Sequence, residues 1–71
     1  MILLKIDIRK NIITNFADAD VNEISTSIKA SIEENEEVTL PGLGVFFELL
    51  WNNSNEDEQL FILNTIKKGL Q

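Results

Sequence analysis

Residues 38–53 constrain this chain more than any other stretch. They hold the only proline (Pro41), the only tryptophan (Trp51) and two of the three glycines (Gly42 and Gly44), set in a nearly unbroken apolar run. From Leu43 to Trp51 the sole charged side chain is Glu48. A segment this apolar in a chain of net charge −6 has to be covered, by the rest of the chain or by a partner.

The rest of the chain is small. Seventy-one residues make a single domain, residues 1–71. A chain this short buries only about 60% of the surface its unfolded form exposes. It has no cysteine for a disulfide and no histidine or cysteine set for zinc. Association with a second copy is therefore an open route to stability. The absence of cysteine fits a reducing interior.

The hydrophobic pattern reads as mainly α, a small bundle of about four short helices with a short extended N-terminus. Ile2, Leu4, Ile6 and Ile8 alternate with more polar positions, as in a strand. Asp7 is placed to cap a helix over Ile8–Phe16, where Ile8, Ile12, Ile13 and Phe16 recur at helical spacing. Asp20 with Glu23 forms a capping-box start for a second helix, whose Val21, Ile24, Ile28 and Ile32 share a face. Asn35 suits a left-handed C-cap, and the acidic run around it opposes further helix because the macrodipole favours cations there.

Leu40 precedes Pro41 and is expected to be extended, with Pro41 in the first turn of a third helix over residues 41–52. The aromatics and the two glycines keep an alternative open, an α+β fold with a β-hairpin at residues 38–50. The last helix is expected to start at Ser54, with Glu56, Asp57 and Glu58 in its first turn, Lys67 and Lys68 in its last, and Gly69 as its stop.

The residue inventory argues against catalysis. Without histidine, cysteine or tyrosine the usual nucleophile–base pairs cannot be built. Ser25, Ser27, Ser31 and Ser54 have simpler roles on polar faces or caps. Glu48 is the one carboxylate in an apolar setting; a tuned acid is one reading, and an exposed edge or pairing with a lysine is the favoured one. Asp18, Asp20 and Asn22 mimic the start of a calcium loop, but Glu23 stands where glycine is needed and Lys29 where the bidentate glutamate is needed. Gly42 and Gly44 lack the lysine and hydroxyl of a phosphate loop. No catalytic, cofactor-binding or metal-ligating residue is expected, and no small-molecule substrate. Phe46, Phe47, Leu50 and Trp51 are the candidate partner or dimer interface.

Nucleic acid is disfavoured as a partner because six basic residues, spread along the chain, face twelve acidic ones. The apolar start is interrupted by Lys5 and Asp7 and resembles no signal peptide, and no run reaches the roughly 18 apolar residues of a membrane span. A soluble, intracellular protein without a membrane partner is the expectation.

The block from Leu40 to Asn53, preceded by Glu36-Glu37 and followed by an acidic cap and a helix ending near Lys67-Lys68-Gly69-Leu70, resembles the small acid-soluble spore protein I family. Arg9-Lys10 matches the basic pair after that family's apolar start. The resemblance covers nearly the whole chain and is most specific from Glu36 to Trp51. It implies a minor, non-enzymatic protein of the spore core, produced in the forespore, without cofactor and with a structural or partner-binding role. Its partner would be a second copy or another spore-core protein. The α/β-type spore proteins that bind DNA are a different sequence family.

A second resemblance, from Ser27 to Phe46, is to the first half of HU-type nucleoid proteins. It implies the hairpin at residues 38–50 and an alternative function as a dimeric DNA-binding module. The cations for that function would be Lys5, Arg9, Lys10, Lys67 and Lys68.

Overall fold

A computed structural model describes residues 7–71. The extended segment expected at residues 2–6, and Lys5 with it, lies outside the described residues. Four helices follow in order: α1 (Ile8–Phe16), α2 (Val21–Glu34), α3 (Leu40–Asn52) and α4 (Glu56–Leu70), with a 3-10 turn over Glu37–Thr39 between α2 and α3. Among the described residues there is no strand. The mainly α expectation stands and the hairpin at residues 38–50 is overturned. Neither Gly42 nor Gly44 has a positive φ, so neither supplies the turn that a hairpin needs. A helix also satisfies the backbone of an all-apolar run internally, without a second strand.

Local signals place most helix ends. Asp7 accepts a hydrogen bond from the Lys10 N–H at 3.0 Å and starts α1. The reciprocal capping box is present at α2: the Glu23 N–H donates to Asp20 at 2.8 Å and the Asp20 N–H donates to Glu23 at 3.1 Å. Asn35 ends α2 at φ 54°, in the left-handed region, with its N–H donating to the Ile32 carbonyl.

Three expectations are corrected. Leu40 is α-helical (φ −62°, ψ −41°), not extended, despite preceding proline. The preceding 3-10 turn decides its geometry, because the Thr39 N–H donates to Glu36 and the Leu40 N–H to Glu37, carrying the chain into α3 along a helical path. Thr39 reinforces this turn by donating its hydroxyl to the Glu36 carbonyl at 2.8 Å. Pro41 then sits in the first turn, where a missing N–H costs nothing.

The cap of α4 is Asn55, not Ser54. Asn55 and Glu58 form a second reciprocal capping box at 2.8 and 2.9 Å, whereas the Ser54 hydroxyl donates back to the Leu50 carbonyl at the end of α3. Gly69 does not stop α4, which continues through Leu70.

Packing centres on α3. Helix α1 lies against it, α2 touches it, and the 3-10 turn bridges α2 and α3. Gly42 marks a near approach of α1 to α3: a Cβ built there would stand 3.5 Å from Ile12 Cδ1. The Phe16 and Phe46 rings meet edge to face with centroids 5.2 Å apart. Arg9 and Glu48 join the same two helices by a two-pronged ion pair, Nε to Oε1 at 2.7 Å and Nη2 to Oε2 at 2.8 Å. Yet Val45, at 6% exposure, is the one buried apolar side chain among the described residues. Helix α4 shares no comparable interface with any other element.

Two stability outcomes follow. Gly44 is inside α3 with nothing within 4 Å of an added Cβ, so Gly44→Ala is expected to stabilise by about 0.5–1 kcal/mol, read as a raised thermal midpoint. Asn55→Ala is expected to cost about 1 kcal/mol of helix stability. Far-UV circular dichroism should show that loss for Asn55→Ala and a smaller one for Ser54→Ala.

Candidate functional site

The largest apolar feature is an open cleft of about 610 Å³ between α1, α2 and α3. Ile13 and Phe16 come from α1, Ile24 and Ile28 from α2, and Phe46, Phe47 and Leu50 from α3. Each is there for a local reason. The α1 and α2 residues recur three or four positions apart and so share the inner stripe of their helices. Helix α3 is apolar around most of its circumference, so the part facing α1 and α2 that they leave uncovered is apolar as well.

The four residues singled out from the sequence divide. Phe46 turns inward onto Phe16. Phe47 and Leu50 line the cleft and stay open to solvent, at 42% and 49% exposure. Trp51 lies outside the cleft lining, half-buried, and stacks on Phe47 with centroids 6.0 Å apart. Sequence reasoning missed the contributions of Ile13, Phe16, Ile24 and Ile28 to the same surface. Their helical spacing marked them as inward-facing, but not as facing one shared opening.

A second depression, about 720 Å³ and wide open, lies beside Glu48 and is lined by Asp7, Arg9, Pro41 and Val45 among others. Though larger, it is the weaker candidate. The hydrogen bonds from the Arg9 side chain hold the Glu48 carboxyl below the usual glutamate range, and Glu48 in turn raises the arginine. That shift is opposite in direction to the one a general acid requires. Glu48 is thus an ionised, exposed residue, as the exposed-edge reading had it, and its partner is an arginine on α1 where a lysine was expected.

Among the described residues, the cations named for a nucleic-acid patch are not drawn together by packing. Arg9 is engaged by Glu48. Lys10 is exposed on α1, and Lys67 and Lys68 are exposed in the last turn of α4, which has no extensive interface with α1. Among the described residues no helix is long and apolar enough to cross a membrane, and no group of three or more acidic, histidine or cysteine side chains is arranged to hold a metal ion.

Residues 6–70 match the family model described as "Small, acid-soluble spore protein I". Relatives carrying that same name include one from Bacillus cytotoxicus, 34% identical over 68 residues, covering 96% of this chain and 97% of the relative. Another, from Halalkalibacterium halodurans, is 35% identical over 68 residues, covering 96% of this chain and all of the relative. A third, from Bacillus mycoides, is 32% identical over the same length, with 96% and 99% covered. No solved structure matches the chain.

The ion pair makes a pH-dependent contribution with a defined sign. Arg9 lowers the Glu48 carboxyl in the folded chain, so the pair stabilises above the unfolded glutamate value of about 4.3 and the stabilisation is lost as pH falls through the lowered native value. Thermal melts of the wild type and Glu48→Gln should therefore differ at neutral pH and converge in acid. A difference independent of pH would show that Glu48 acts through packing alone. Both side chains are well exposed, so raised salt should also shrink the difference.

Proposed function

The chain belongs to the small, acid-soluble spore protein I family, and from that premise we propose that it is a non-enzymatic component of the spore core, produced in the forespore, that works by contact with other protein. Family membership over nearly the whole length supports the sporulation part of this reading. The observation that carries the contact part is the open apolar cleft with Phe47 and Leu50 on its wall. A soluble chain does not leave such a surface to water without a use for it.

Chemistry points the same way. The carboxylate in the most apolar setting is neutralised by Arg9 and held ionised, and histidine, cysteine and tyrosine are absent from the sequence. An electrostatic role on nucleic acid needs a concentration of cations, and the net charge is −6. The surface is therefore read as a protein-contact surface, with a second copy or another spore-core protein as its partner.

Two measurements test the proposal. Immunodetection across a sporulation time course, with fractionated spores, should find the protein only after the forespore forms and then in the core fraction. Its recovery in the coat or the mother cell would remove the location. An electrophoretic shift titration with duplex DNA at low salt should show no complex. Tight binding that weakens steeply with salt would replace protein contact by nucleic-acid binding.

A further inference from the structure

We propose that the cleft between α1, α2 and α3 receives helix α4 of a second copy, so that the working unit is a homodimer with exchanged C-terminal helices. This deepens the protein-contact reading by naming the partner and the element it supplies.

Helix α4 is amphipathic and lies bare. Leu60, Leu63, Ile66 and Leu70 recur along one side, and Leu63 and Leu70 are 50% and 82% exposed. A 15-residue helix with few tertiary contacts, the Gln59 bond to the Trp51 carbonyl among them, is marginal in water, even with a good capping box. The chain thus carries an apolar helix without a groove and an apolar groove without a helix.

The connection between α3 and α4 keeps them apart within one copy. The Asn53 N–H donates to Leu49, the Ser54 N–H to Trp51 and the Ser54 hydroxyl to Leu50. Gln59, in the first turn of α4, donates its side-chain amide to the Trp51 carbonyl at 3.1 Å. Folding α4 back over its own cleft would break this set, whereas accepting α4 from another copy leaves it intact.

Surface area is of the right size. The chain exposes 6092 Å², while a compact monomer of 8.1 kDa exposes about 4,500 Å². Granting residues 1–6 the area of an unfolded segment, about 1,000 Å², still leaves the described residues roughly 900 Å² above a compact chain of their mass. A standard protein interface buries about 800 Å² on each partner.

Charge also fits. Helix α4 is acidic at its start (Glu56, Asp57, Glu58) and basic at its end (Lys67, Lys68). The cleft runs along α1, with Lys10 in the first turn of that helix and Asp18 and Asp20 just past its last. An incoming α4 laid parallel to α1 brings Lys67 and Lys68 to Asp18 and Asp20, while at the other end its acidic first turn meets Lys10 with Asp7 beside it.

Sedimentation of the full chain from micromolar to millimolar concentration is expected to show a dimer. Leu63→Asp in α4 and Ile13→Asp in the cleft are each expected to raise the dissociation constant at least ~100-fold by burying a charge. Mixing the two variants should restore association, since one pairing then joins an intact α4 to an intact cleft. Should Ile13→Asp fail to fold, the cysteine-free chain allows a second measurement: Ile13→Cys mixed with Leu63→Cys should form the mixed disulfide under oxidation. A wild type that stays monomeric, a Leu63→Asp chain that still dimerises, or absence of the mixed disulfide overturns the exchange. A monomer recovered from the spore core would refute the exchange and leave the preceding reading standing.

Discussion

A helix that is apolar around most of its circumference needs cover on most sides, and α3 receives the larger part of its cover from α1. Helix α1 closes its side through the Phe16–Phe46 contact and the two-pronged Arg9–Glu48 pair, which together enclose Val45. The remaining features of the molecule descend from this imbalance. The cleft is the part of α3 that α1 and α2 do not reach, and the exposed Phe47 and Leu50 are its wall.

Among the described residues no charged side chain is buried. The Arg9–Glu48 ion pair between α1 and α3 is exposed and ties those helices together without demanding that a charge be buried. Most other charges lie on outward faces or in the first turns of helices, where they cap and solubilise. Family membership gives this arrangement a setting in sporulation.

Legibility in the sequence followed the range of the interaction. Asp7, the Asp20–Glu23 box and Asn35 act within four residues of themselves, and each stands where its side-chain chemistry placed it. Ser54 and Asn55 show the limit of that reasoning. Both are competent caps in adjacent positions, and the choice turned on Ser54 being taken by the Leu50 carbonyl. Leu40 shows another limit, since the proline rule is a local preference and the upstream 3-10 turn outweighed it. For the candidate surface, Phe46, Phe47, Leu50 and Trp51 could be named from composition, but their division into inward, cleft-lining and stacking roles could not.

The amino-acid sequence by itself determined α1, α2 and α4 to within a residue or two of their ends, the largely apolar character of residues 43–51, and the lack of the side chains of common catalytic chemistry, while it left helix or hairpin open for residues 38–50. Those properties depend on neighbours a few residues apart or on residue identity alone. Only the tertiary structure decided that Arg9 meets Glu48 across 39 positions, that α1, α2 and α3 leave a common opening, and that α4 stands clear of them. Such contacts depend on crossing angles and on which faces meet. Helical periodicity tells which side of a helix is apolar, but not what it will face.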